Sequence, residues 1–216
     1  TIDAVTVSLS ATAELDEGGA NIVYTATLSG GVANNAITVT LDNGEVITIA
    51  AGDASGTTST AIQGDDVYLD GETVNNAIAS AVEANAGDPG ALENLVVDPA
   101  AVATVISDTI DDTTVTLGDA TVDEGGNYSL SATITSAPTD GPLVLTLSNG
   151  ATVTFTVGGL LTVSSTAVPA PNAADGGSTL PVSVASHTGG AEFENLVLTD
   201  TGIVTINNSI PTAGTM

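Results

Sequence analysis

The chain contains no lysine and no arginine. Sequence-independent binding to nucleic acid or to anionic lipid headgroups depends on those side chains, so neither partner fits. Cysteine is also absent, which rules out disulfide stapling, and with a single histidine zinc or copper is poorly served. Tryptophan is missing, and Tyr24, Tyr68, Tyr128, Phe155 and Phe193 are the only aromatic residues. No apolar run reaches the roughly 18 residues of a spanning helix, so insertion into a membrane is not expected. Thr1 has no leader before it, and the sequence reads as a piece of a larger protein.

Acid and aliphatic residues are abundant. The 26 acidic residues give a formal charge of -26, a composition that in a polar chain would mean disorder. Here 42% of residues are hydrophobic and they alternate with polar ones, so a folded chain is expected. The hydrophobic residues are mostly Val, Ile, Leu and Ala, which favours strands with slim cores. A length of 216 residues accommodates two ordinary domains.

One pattern occurs twice. Ile2-Asp3 and Val7-Ser8-Leu9 return as Ile110-Asp111 and Val115-Thr116-Leu117, and Asp16-Glu17-Gly18-Gly19 returns as Asp123-Glu124-Gly125-Gly126. Ala26-Thr27-Leu28 answers Ala132-Thr133-Ile134, Asn43-Gly44 answers Asn149-Gly150, and Glu93-Asn94-Leu95-Val96 answers Glu194-Asn195-Leu196-Val197. The order never changes, and a period of about 107 residues is that of a whole small domain. The expected domains are residues 1–108 and 109–216.

In the first copy, alternating segments run over residues 5–10, 21–28, 36–41, 45–50, 57–62, 73–83 and 95–107, the last interrupted by Pro99. Seven short strands in about a hundred residues predict an immunoglobulin-like β-sandwich. The fold class is therefore all-β, two tandem sandwiches in an elongated arrangement. Asp42-Asn43-Gly44 and Ser148-Asn149-Gly150 are expected to form hairpin turns of type I′, with positive φ at Asn and Gly.

Alternating strands place the connection between the first and second segments, the connection between the fifth and sixth, and the exit of the domain at one end. Asp16 and Glu17, then Asp65, Asp66 and Asp70, then Asp108 followed by Asp111 and Asp112, converge there. Any one of them alone is an ordinary turn former. Together, with no basic residue to pair them, they repel one another unless a cation intervenes. Calcium takes six to eight oxygen ligands in flexible geometry, which this cluster supplies. The second copy keeps Asp123-Glu124 but has Pro171-Asn172 in its corresponding connection and Asn207-Asn208 at its exit, so a weaker site is expected there. Asp140 and His187 read as loop residues, and no serine or cysteine stands at a spacing that would make the histidine catalytic.

With these motifs in hand, including Asp66-Val67-Tyr68-Leu69-Asp70-Gly71 and Ser107-Asp108-Thr109-Ile110-Asp111-Asp112, the chain resembles the tandem immunoglobulin-like extender repeats of giant bacterial RTX adhesins. The resemblance covers both copies. It implies a non-enzymatic, calcium-rigidified stalk on the bacterial surface, exported by a type I secretion system, that projects ligand-binding domains from the cell. The family pattern maps calcium onto Glu17, Asp66, Asp108 and Asp111, and onto Glu124 for the second repeat. Calcium ions and neighbouring repeats are the implied partners, and a monomer is expected.

Two other classes compete with this reading. A glycan- or ice-binding adhesin module would need aromatic platforms or a regular threonine array; Thr38-Val39-Thr40 and Thr152-Val153-Thr154 do not recur at short spacing. A hydrolase would need its carboxylates in a cleft, and these gather at a domain end.

Overall fold

The structure is a computed structural model, described here for residues 3–172 and 177–208. It divides into two compact units: Thr1–Asp66 with Asp70–Thr109, and Val67–Leu69 with Ile110–Met216.

Unit 1 contains β1 (Ala4–Ala11), β2 (Glu14–Asp16), β3 (Ile22–Ser29), β4 (Ile37–Leu41), β5 (Val46–Ile49), β6 (Ser55–Thr60), β7 (Glu72–Asn76), β8 (Ile78–Glu83), β9 (Asn94–Val97) and β10 (Val102–Ser107). One layer has the order β6-β3-β1-β9, and the other is made by β2-β10-β7 and β5-β4-β8. Strict alternation of burial along β3 sends Ile22, Tyr24, Ala26 and Leu28 inward, where they pack with Ile37, Val39, Ile47 and Ile49. Both long segments at the end of this repeat are broken. The run through residues 73–83 splits at Ala77, where buried Asn76 turns its Oδ1 to the Ala77 N–H at 3.0 Å. The run through 95–107 splits at Pro99, since Pro has no N–H for the ladder. As a result β9 pairs in parallel with β1 in one layer, and β10 joins β2 and β7 in the other.

Unit 2 contains β11 (Asp112–Leu117), β12 (Ala120–Asp123), β13 (Asn127–Tyr128), β14 (Ser131–Ile134), β15 (Leu143–Leu147), β16 (Thr152–Phe155), β17 (Thr162–Ser164), β18 (Val168–Pro169), β19 (Ser178–Thr188), β20 (Asn195–Val197) and β21 (Thr201–Asn207). The layer β17-β14-β11-β20 faces β12-β21-β19-β15-β16, and β19 runs unbroken where unit 1 has β7 and β8. His187 lies on β19, opposite Leu145, and not in a loop. Bulges occur at matching places, between Thr40 and Leu41 and between Thr146 and Leu147.

The Asn-Gly hairpins differ from type I′. Leu41 N–H reaches Glu45 O at 2.9 Å and Gly44 N–H reaches Leu41 O at 2.9 Å, which makes a three-residue loop. Only Gly44 has positive φ, +88°, and the repeat shows the same bonds with Gly150 at +84°. This is a type I turn closed by a left-handed glycine, and Asn43 Oδ1 holds it by accepting the Glu45 N–H at 3.1 Å.

The acids are confined to turns and strand termini among the described residues, and none lies in a strand interior. The outward side of β1, β3 and β6 carries hydroxyls instead, with Ser8 opposite Thr27, Ser10 opposite Thr25, and Thr25 opposite Thr57. Unit 2 repeats this with Thr116 opposite Thr133, Thr133 opposite Thr162, and Ser131 opposite Ser164.

Candidate metal centre

In unit 1 the parallel pairing of β2 with β10 sets Leu15 beside Ile106 and Asp16 beside Ser107, and continues in the bond from Glu17 N–H to Ser107 O at 3.0 Å. Glu17 therefore leaves the sheet next to the end of β10, where Asp108 and Thr109 follow. Its side chain is 3% exposed, and its Oε1 accepts the Thr109 N–H at 3.0 Å. On the other side of β10, antiparallel pairing with β7 sets Glu72 beside Ile106. That brings Asp70 to Asp108, whose Oδ1 accepts the Asp70 N–H at 3.2 Å.

The connection after β6 closes the group. Gln63 O accepts the Gly18 N–H at 3.1 Å, and Gln63 Nε2 donates to Asp70 Oδ1 at 2.7 Å. Gly18 has φ +63°, and a Cβ there would lie 2.5 Å from Asp65 Cβ, so only glycine lets the two turns meet. Thr109 Oγ1 donates to Asp65 Oδ1. Glu17, Asp66 and Asp70 each present a carboxylate oxygen within 4.8 Å of the others. An ion with bonds of about 2.3–2.6 Å can touch two oxygens up to about 5 Å apart, so the spacing of these three suits the first ligands of one divalent cation. The donors are all hard oxygens, two of the three carboxylates are exposed, and the buried Glu17 anchors the set.

The other residues expected in the site are distributed as follows. Asp65 and Asp108 lie beside the three as hydrogen-bond partners in unit 1. Asp111 and Asp112 belong to unit 2, where Glu194 Oε2 accepts the Asp111 N–H at 2.6 Å and Asp112 Oδ1 accepts Asn195 Nδ2 at 2.6 Å. Glu124 stands at the end of β12, with its N–H on Asn207 O at 3.0 Å, the counterpart of Glu17 on Ser107. Part of the corresponding connection of the second copy, residues 173–176, lies outside the described residues, as does Ser209.

Three roles went unread in the sequence. Gln63 is the only glutamine, and a lone amide carries no spacing signal. Thr109 acts through its backbone as well as its hydroxyl. Glu93 and Glu194 cap the entry of each repeat, Glu93 Oε2 accepting the Asp3 N–H at 3.0 Å as Glu194 does for Asp111. Their shared place in Glu-Asn-Leu-Val was the available hint.

Unit 2 also includes three residues from the first repeat. Leu69 N–H donates to Glu192 O at 2.8 Å and Glu194 N–H to Val67 O at 3.1 Å, a short antiparallel clasp with Tyr68 opposite Phe193. The two rings stack with centroids 5.6 Å apart, and Tyr68 OH donates to Ala137 O at 2.8 Å.

Two layers of short strands, repeated along one chain, define a pair of small β-sandwich modules. The family model of the LapA domain matches twice, over residues 3–109 and 111–209, and the chain belongs to the LapA domain family. A search among curated proteins finds no match. Among solved structures the chain is similar to the fibronectin(III)-like modules of Clostridium thermocellum CbhA, at 9% identity over 93% of this chain and 94% of that one, with TM-score 0.28. It is likewise similar to the I9–I11 tandem of titin, at 12% identity over 95% of this chain and 66% of that one, also with TM-score 0.28.

Proposed function

We propose that the chain is a spacer segment of a bacterial cell-surface adhesin, with repeats at residues 1–108 and 109–216 that calcium stiffens where they join. The observation that carries this is the convergence of Glu17, Asp66 and Asp70 within 4.8 Å, in a chain with no basic residue to neutralise them. Asp65 and Asp108 serve as the supporting acids of this group, Asp111 and Asp112 as acids that follow the exit, and Glu124 begins the corresponding site of the second repeat. Extracellular modules bind calcium with dissociation constants of about 10⁻⁴–10⁻³ M, so the sites fill outside a cell and stay open within it. Membership of the LapA domain family and the resemblance to extender repeats of RTX adhesins support export by a type I system and a place on the cell surface.

The test is small-angle X-ray scattering together with thermal melting, in millimolar calcium and in excess chelator. A longer, narrower distance distribution and a higher melting temperature with calcium are expected. Identical curves in both conditions would remove the calcium spacer from consideration and move attention to the hydroxyl faces as a direct glycan- or ice-binding surface.

A further inference from the structure

The clasp in unit 2 has a counterpart position in unit 1, and the register of the two units identifies it. Asp112 pairs with Asn195 as Ala4 pairs with Asn94, so Leu92 stands for Phe193 and Glu93 for Glu194. The Gly52 N–H on Ala33 O repeats the Gly158 N–H on Pro138 O, so Val32 stands for Ala137. We propose that Val32, Ala91, Leu92 and Glu93 of unit 1 form a seat for a second segment of the Val67–Leu69 type, a hydrophobic–Tyr–hydrophobic strand supplied by a further copy of the first repeat.

Exposure separates a covered seat from an open one. Phe193 is 4% exposed beneath the Tyr68 ring, whereas Leu92 is only half-buried. Ala137 is half-buried where it takes the Tyr68 hydroxyl, and its counterpart Val32 is 49% exposed. Glu194 is half-buried and Glu93 exposed. The backbone agrees: in unit 2 the Glu194 N–H and the Glu192 carbonyl hold the clasp. Among the described residues no hydrogen bond uses the Glu93 N–H or the Ala91 carbonyl. A donor and an acceptor two residues apart, beside a half-buried Leu, are the half-ladder to which an extended segment adds. An aromatic ring is the side chain that fits, because the matching position on Val32 offers a carbonyl where Ala137 receives a phenol.

The seat's occupant rests on reading the chain as part of a longer run of repeats, and it is testable apart from calcium. In an extended chain, residues 1–108 are placed before the full 216-residue chain; the join then reads Asp108-Thr1-Ile2-Asp3, the same residues as Asp108-Thr109-Ile110-Asp111. With isotope confined to the 216-residue part, amide exchange is followed at Glu93, and Glu194 serves as the benchmark of a clasped amide. The added copy is expected to slow Glu93 exchange by about tenfold or more, and Tyr68→Ala in the added copy alone to restore it. Equal Glu93 exchange with and without the added copy, while Glu194 stays slow, overturns the seat. A calcium titration of the same chains reports on the spacer reading separately, since Glu17, Asp66 and Asp70 take no part in the seat.

Discussion

Gln63 Nε2 lies 2.7 Å from Asp70 Oδ1, and the same residue's carbonyl accepts the Gly18 N–H at 3.1 Å. One neutral residue thus serves both parts of the group: its backbone carbonyl holds the turn that carries Glu17, and its side-chain amide holds Asp70 in the connection it belongs to. In a chain without lysine or arginine, a neutral amide can hold a carboxylate in place and leave that carboxylate's charge for a cation.

Removing that donor should weaken calcium binding more than folding. Gln63→Leu is expected to raise the calcium dissociation constant by about three- to tenfold, the net worth of one ordinary exposed hydrogen bond, while the melting temperature in chelator changes little. Isothermal titration and melting of the same sample measure the two effects; the modest size follows from the exposure of the bond, and a loss confined to the chelator melting temperature would count against the role.

Glu17→Gln tests the anchor. The amide oxygen still accepts the Thr109 N–H, but the charge is gone. In wild type, calcium at 100 times its dissociation constant should add about 2.7 kcal/mol of stability. In the variant most of that gain should vanish, as read by denaturant unfolding with and without calcium, with no loss of stability in chelator.

Gly18→Ala should damage both folding and binding. Its φ of +63° disfavours any side chain, and its Cβ would stand 2.5 Å from Asp65 Cβ. A cost of about 1–2 kcal/mol is expected from the backbone alone. Gly44→Ala, which has φ +88° with no atom within 4 Å, is the control for conformation without collision. Urea midpoints rank the two, and Gly18→Ala should be the lower.

Phe193→Ala should destabilise unit 2 by about 3–5 kcal/mol, since the ring is 4% exposed and sits in the core as well as under Tyr68. Tyr68→Phe keeps the stack and removes only the bond to Ala137 O, for about 1 kcal/mol. Native-state hydrogen exchange at Glu194 distinguishes them, because the rate rises exponentially with the cost, by about fivefold for 1 kcal/mol and about a hundredfold or more for 3 kcal/mol.

Much of this was legible because alternation and repetition are local signals. Alternating burial follows from inward residues at every second position, Ile22, Tyr24, Ala26 and Leu28 along β3 and Val204 and Ile206 along β21. The gathering of Glu17, Asp66 and Asp70 in one unit was expected from strand direction alone. What could not be read depended on three-dimensional pairing. The switch of β9 and β10 between layers is marked in sequence only by Pro99, and β2 is three residues long. The hairpins were assigned to type I′ because Asn-Gly suits it, but a three-residue loop needs a left-handed residue only at Gly44, and Asp42 supplies the extra length. The clasp of Val67–Leu69 had no signature, since its residues look like any short apolar stretch within an acidic connection.

The confinement of every described acid to turns and strand termini gives each unit charged caps and a neutral, hydroxylated flank. Among the described residues the carboxylates therefore sit at the caps alone. Along the flank, short Ser and Thr side chains carry no charge for salt to screen. A flank of this kind offers charged debris, polyanions and polycations no electrostatic foothold. The module can respond to its ionic surroundings at its ends while staying inert along its sides.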